Sequence, residues 1–227
     1  MWNHPTSVED VSALFAKYCV GDLGALPWCA QQLDPESEVI RQRLAAINAQ
    51  GFLTINSQPA VNGVKSSDKI HGWGPSNGYV YQKAYLEFFV SPEQLDTLIA
   101  KIGAKKDITY YAVNSQGDLK TNNNNHGPNA VTWGVFPSKE IVQPTIVDAT
   151  AFMAWKEEAF ELWAQWANLY EADSASHQLL KSIKSQWYLI NIVDNNFVVS
   201  DGIWNLFDVD ASDDLSSKVS ELNVADR

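Results

Sequence analysis

Tyr79-Val80-Tyr81-Gln82-Lys83-Ala84-Tyr85-Leu86-Glu87-Phe88-Phe89-Val90 runs directly into Ser91-Pro92-Glu93-Gln94-Leu95. The first stretch is rich in aromatic and β-branched residues, the composition of a strand. The second opens a helix, with Ser91 before Pro92, then Leu95, Leu98, Ile99 and Ile102 on one face and Gly103 as the stop. A strand feeding a capped amphipathic helix sets the expectation of an α/β or α+β fold.

Working outward, Ile108 to Val113 reads as a strand, Ser115-Gln116-Gly117-Asp118 as a turn and Asn122 to Asn125 as a polar loop. Asn129 to Phe136 and Ile141 to Val147 are further strands. Phe152 to Tyr170 is the longest helix, with Phe152, Trp155, Phe160, Trp163 and Trp166 among its apolar positions. A helix around His177 to Ile183 leads into the strand Trp187 to Val193, and the tail after Asp208 is acidic and serine-rich.

Upstream, Asn56 to Asn77 carries the Gly, Pro, Ser and Asn content of a loop, and Phe52 to Ile55 is a short buried strand. Before it, Asp34 and Pro35 start a helix striped by Val39, Ile40, Leu44 and Ile47 and stopped by Gly51. Thr6-Ser7-Val8-Glu9 reads as a capping box for a first helix bearing Val8, Val11, Leu14, Phe15 and Tyr18. No repeat or linker divides the chain, so residues 1–227 are expected to form a single domain. Met1 and Trp2 directly before a helix start are expected of a piece of a longer protein.

The 227 residues are 45 % hydrophobic with nine tryptophans, a composition that supports a packed core. A net charge of −11 leaves no electrostatic footprint for nucleic acid or an anionic membrane surface. The same field would mildly favour a cationic ligand. Two cysteines, Cys19 and Cys29, make no disulfide framework, and no apolar run reaches membrane-spanning length. A reducing, cytoplasmic compartment is the expectation.

Candidate chemistry is sparse. Gly72 to Gly78 superficially resembles a phosphate loop, but a strand follows where a helix is needed, and no Lys-Ser/Thr trails it. His4, His71, His126 and His177 stand apart, and Asp208 to Asp213 lacks the glycine that a calcium loop needs at its sixth position. Ser66 or Ser67 beside Asp68 reads as a loop feature until a base is found, and Glu157-Glu158 as a solvated helix face. Polar residues inside apolar strands say more: Thr54, Asn56 and Ser57 at the end of one, Thr132 in a second and Thr145 in a third. Each must find a partner when buried, either backbone or a polar ligand.

Gly51–Pro59 (GFLTINSQP), Gly78–Phe89 (GYVYQKAYLEFF), Pro128–Gly134 (PNAVTWG) and Phe152–Phe160 (FMAWKEEAF) resemble the C-terminal regulatory domain of eukaryotic methylenetetrahydrofolate reductases. Leu26–Trp28, Glu140–Thr145, Trp166–Glu171 and Leu189–Asn195 extend the resemblance over nearly the whole chain. It implies β-sheets flanked by helices, and homodimers formed through this domain. It further implies that the catalytic β/α barrel, with its FAD and its NADPH or NADH, belongs to the same polypeptide outside this fragment. The fragment itself would hold no cofactor or metal and no catalytic residue.

The resemblance also implies a ligand, S-adenosylmethionine or its demethylated product S-adenosylhomocysteine, whose binding inhibits flavin-dependent reduction of 5,10-methylenetetrahydrofolate to 5-methyltetrahydrofolate in the barrel. Carried over position by position, the site comprises Cys29, Asp34, Pro35, Glu36, Ser37, Thr54, Ile55, Asn56, Ser57, Gln58, Thr132 and Thr145. Animal members read Ala-Ala-Glu-Thr where this chain has Asp34 to Ser37, and Asn where it has Cys29. Glu36 is kept and Ser37 keeps a hydroxyl. A dimerisation or interaction module with a degenerate ligand site is the alternative; a free-standing enzyme on adenosylmethionine lacks an acid/base or nucleophile set.

Overall fold

The computed structural model describes residues 2, 4–71, 76–122, 133–139, 149–196 and 202–207. Two antiparallel sheets lie among helices, and no barrel closes. One sheet has five strands in the order β1-β4-β8-β5-β6: β1 (Leu53–Gln58), β4 (Tyr85–Val90), β8 (Tyr188–Asp194), β5 (Ile108–Asn114) and β6 (Leu119–Thr121). The other has three, β2 (Val61–Lys65), β3 (Tyr79–Gln82) and β7 (Trp133–Phe136), with β3 in the middle. Among the described residues five α-helices accompany them: α1 (Val8–Val20), α2 (Arg41–Ala49), α3 (Pro92–Gly103), α4 (Ala149–Ala167) and α5 (Ala175–Gln186).

The five-stranded sheet is covered on both faces, which is why all six residues of β4 are buried. Leu86, Phe88 and Val90 meet Leu44 and Ile47 of α2 and Leu95, Leu98 and Ile102 of α3 on one side. Phe89 faces the other side with Leu53, Tyr111 and Leu189, under Phe15 of α1, Phe160, Trp163 and Trp166 of α4 and Ile183 of α5. Aromatic rings dominate that second core. Trp163 lies 5.2 Å from Phe89 edge to face and is stacked with Trp166 at 5.9 Å.

Several expectations shift by a residue. The first capping box is centred on Ser7 and Asp10, because the Asp10 carboxylate reaches back to the Ser7 amide (3.1 Å) and to the amide (2.8 Å) and hydroxyl (3.0 Å) of Thr6. Ser91 caps α3, accepting from the Gln94 amide at 3.3 Å. The helix expected from Asp34 divides: Pro35–Ile40 is a 3-10 helix, Asp34 makes no side-chain cap, and α2 begins at Arg41. Gly51, at φ 91°, ends this helical stretch as anticipated.

Two readings are corrected. Tyr79 to Val90 is two strands, broken at Lys83-Ala84, with β3 in one sheet and β4 in the other. The stretch Asn56 to Asn77 is not all loop: β1 continues to Gln58, and after Pro59-Ala60 the chain enters β2. Both ribbons therefore turn the same corner between the sheets. Two glutamines tie that corner reciprocally, Gln58 Nε2 donating to the Lys83 carbonyl (2.7 Å) and Gln82 Nε2 to the Pro59 carbonyl (3.0 Å).

The expected strand Ile141 to Val147, the loop residues Asn123 to Asn125 and the tail after Asp208 lie outside the described residues. Trp187 is the cap of α5, and β8 starts one residue later.

Candidate functional site

β1 sets the geometry of the candidate site through a bulge. Leu53 and Thr54 stand opposite Phe89 and Phe88; after the shift, Asn56, Ser57 and Gln58 stand opposite Glu87, Leu86 and Tyr85. Without the extra residue Asn56 would follow Thr54 onto the α2 side; with it, Asn56 joins the Glu87 side of the sheet. Ile55, the residue at the irregularity, packs against the α1/α4 core. One strand thus presents polar groups to both sides within four residues.

The Thr54 hydroxyl is committed internally. It accepts from Asn48 Nδ2 at 2.7 Å, while the Thr54 amide donates to Asn48 Oδ1 at 2.9 Å. Asn48, fully buried at the end of α2, also reaches the Cys19 sulfur at 3.4 Å. Burial pushes the Cys19 thiol up to about 11, against the opposing bonds from Thr54 and Asn48. Both cysteines are free thiols.

The 3-10 helix Pro35–Ile40 lies along the far half of β1. Ser37 is 2 % exposed, and its hydroxyl faces the Ser57 carbonyl at 3.5 Å. Asp34 and Pro35 are exposed, and Glu36 is half-buried beside them. Burial lifts the Glu36 carboxyl above its ordinary range, the Asp34 carboxylate adds to the rise, and the Gln82 side-chain amide opposes it. Among the described residues no cation pairs with Glu36. Burial likewise holds the Tyr85 phenol well above its usual value, with Glu87 and Glu36 adding to the effect and a hydrogen bond with Asn56 opposing it.

Cys29 forms an isolated bridge with Leu26 near the Tyr18 phenol. The Tyr18 phenol donates to the Gln31 carbonyl at 3.0 Å and is pushed up to about 12, by burial first and then by Cys29, Cys19 and Asp34. Of the expected residues, Ser37 meets the Ser57 carbonyl, Asn56, Glu36 and Asp34 all act on the Tyr85 phenol, Gln58 turns to the Lys83 carbonyl, and Asp34 and Pro35 are exposed. The structure turns the Thr54 side chain toward Asn48. Thr132 and Thr145 lie outside the described residues.

Gln82, Tyr85 and Glu87 belong to the same neighbourhood and were not anticipated. Their signal was available: they are polar or ionisable groups in an aromatic run, as Thr54 is in its strand. Glu87 is 3 % exposed and accepts from Trp155 Nε1 of α4 (2.5 Å) and Asn191 Nδ2 of β8 (3.3 Å). Burial raises its carboxyl to about 7 against those two bonds.

The described residues contain no group of three or more His, Cys, Asp or Glu that could hold a metal, and none of their helices is long and apolar enough to cross a membrane. Among the described residues Glu36 is a half-buried carboxylate without a cation, a group that a small-molecule ligand can partner.

The family model described as MTHFR, SAM-binding regulatory domain matches residues 1–214, and the chain belongs to that family. It is 48 % identical over 206 residues to methylenetetrahydrofolate reductase 1 of Schizosaccharomyces pombe, covering 91 % of this chain and 34 % of the relative. To methylenetetrahydrofolate reductase (NADH) 1 of Arabidopsis thaliana it is 51 % identical over 203 residues, covering 88 % of this chain and 34 % of the relative. A probable methylenetetrahydrofolate reductase (NADPH) of Caenorhabditis elegans is 42 % identical over 204 residues, covering 84 % of this chain and 31 % of that protein. The chain thus spans about a third of the length of these relatives.

Proposed function

We propose that the cleft between the 3-10 helix Pro35–Ile40 and β1 binds S-adenosylmethionine, and also S-adenosylhomocysteine. Binding restrains a flavin-dependent reduction of 5,10-methylenetetrahydrofolate to 5-methyltetrahydrofolate carried out by a barrel in the same polypeptide, with FAD and NADPH or NADH bound there. The observation that carries this reading is Glu36: a half-buried carboxylate with no cationic partner among the described residues, in a chain of the SAM-binding regulatory family.

An adenosyl ligand suits that carboxylate in one particular way. Its ribose diol offers neutral donors for charge-assisted hydrogen bonds, and both ligands carry the diol. Ser37, Asn56, Ser57 and Gln58 supply further polar groups along β1, with Ile55 beside them. Asp34, Pro35 and Cys29 rim the opening and Thr132 and Thr145 complete the proposed set, while Thr54, bonded to Asn48, braces β1 from its other side. The domain also pairs two such polypeptides into a cytoplasmic homodimer, in this reading.

The test uses the whole polypeptide. Reduction of methylenetetrahydrofolate should fall as S-adenosylmethionine is added, and Glu36→Gln should keep the basal rate while needing at least tenfold more ligand for the same inhibition. Unchanged inhibition of the variant overturns the placement of the site. A chain that pairs but never binds is the interaction module instead.

A further inference from the structure

Glu87 is 3 % exposed within β4, in a sheet covered on both faces, and among the described residues no cation pairs with it. Its partners are two neutral donors on two different elements. The Trp155 indole of α4 donates to Oε1 at 2.5 Å, and the Asn191 amide, directly across the ladder on β8, donates to Oε2 at 3.3 Å. One carboxylate therefore ties α4 to the central strand of the sheet. Burying a carboxylate without a counter-charge disfavours ionisation, and these two bonds oppose that effect. A glutamine could accept from the indole with no charge to bury, so the acid is the costlier residue at this position. Trp155 is half-buried, and on the outer side of α4 it lines a hollow with Glu158, Leu162 and Gln165. What happens at Glu87 thus reaches the surface through one side chain.

We propose that Glu87 is a pH-sensitive tether of α4: when ionised it draws the Trp155 indole onto the sheet, and protonation loosens that tie. An indole N–H facing a carboxylate makes a charge-assisted hydrogen bond, roughly twice as strong as one to a neutral acceptor. The proton comes from solvent and rests on the carboxyl. Among the described residues no cation on that side of the sheet overrides it. The Tyr85 phenol shares the face on β4, and the Tyr111 phenol of β5 lies beyond Asn191; both are phenols rather than cations. On α4 the Lys156 amine turns to Glu157 at 3.4 Å and toward Gly117. β1 offers Asn56 opposite Glu87, while α1 and α5 turn Phe15 and Ile183 to this core. Burial in these surroundings raises the carboxyl to about 7, so both forms are populated at neutral pH. The tether does not rest on the adenosyl-binding reading above.

The test follows the Trp155 indole N–H by nitrogen-15 NMR of the purified chain from about pH 5.5 to 8.5, the resonance being identified by its loss in Trp155→Phe. It should move downfield as pH rises, through a single transition centred near pH 7. In Glu87→Gln the transition should vanish and the resonance should stay near the low-pH position of the native chain. A native resonance that does not move with pH marks a purely structural carboxyl and overturns the proposal. The same transition persisting in Glu87→Gln overturns it too, because another group then carries the proton. Should Glu87→Gln fail to fold, the carbon-13 signal of the Glu87 carboxyl, reached in the native chain from its backbone resonances, replaces the variant. Its midpoint should coincide with that of the indole; separate midpoints, or a carboxyl that does not titrate in this range, overturn the tether.

Discussion

Glu36 lies half-buried beside the exposed Asp34 and Pro35, whereas Glu87 is inside the protein, bonded by an indole and an asparagine. For Glu36 the measurable question is which part of the ligand it holds. If it grips the ribose diol, Glu36→Gln weakens S-adenosylmethionine and S-adenosylhomocysteine by similar factors, about tenfold or more for a lost 1.4 kcal/mol. Selective loss of S-adenosylmethionine would place the carboxylate against the sulfonium instead.

For Glu87 the readout is stability against pH. Its folded value of about 7 lies above the ordinary 4.5, so the folded state favours the protonated form. The stabilisation is fully present below about pH 4.5 and is lost as pH rises through 7, an effect on the order of 3 kcal/mol. Glu87→Gln should therefore leave stability near pH 5 little changed and raise it at pH 8, in thermal melts run against the native chain. Melting curves that coincide at pH 8 would contradict this. The sequence named Glu36 only through family resemblance. Glu87 was overlooked because a lone acid in an aromatic run does not reveal that an indole 68 positions away will meet it.

At the scale of elements, the bounds of α3 were readable because its cap is local, whereas the longest helix, expected over Phe152 to Tyr170, runs Ala149–Ala167. Ser91 to Gly103 needed only its own residues, and so did the stop at Gly51. The break in Tyr79 to Val90 was not readable, because its reason is a pair of glutamine bonds between ribbons distant in sequence. The bulge in β1 depends in the same way on pairing with β4. These two irregularities decide which side of the sheet each polar residue of β1 faces, and neither is written in local sequence.

Two substitutions probe the supporting elements. Asn48→Ala removes the bonds that join α2 to the Thr54 amide and hydroxyl; with about 1–3 kcal/mol for each buried group left unpaired, denaturant unfolding should show a loss on the order of 3 kcal/mol. A loss under about 0.5 kcal/mol would mean water replaces those bonds. Gly78 starts the middle strand of the small sheet where an added Cβ would lie 2.3 Å from the Phe136 carbonyl oxygen. Gly78→Ala should loosen β7 from β3, seen as faster amide exchange in β7 with the five-stranded sheet still protected.

Across the whole molecule, a sheet buried on both faces and two aromatic-rich cores supply the rigidity, while the polar end of β1 lies on an edge strand of that sheet. A ligand that binds only the folded state stabilises it by about 2.7 kcal/mol at a hundred times its dissociation constant. For a domain of this size that is a rise of roughly 5–11 °C in melting temperature. Composition and periodicity alone reached a mixed α/β fold; they could not name a ligand, because no residue type around Glu36 is peculiar to one.

Calorimetric titration of the purified chain with S-adenosylmethionine bears on all three scales. Saturable binding at one site per chain, retained for S-adenosylhomocysteine and weakened at least tenfold by Glu36→Gln in a variant that melts like the native chain, is the expected result. Absence of heat and of any melting shift at millimolar ligand would contradict the assignment of the cleft as an adenosyl site.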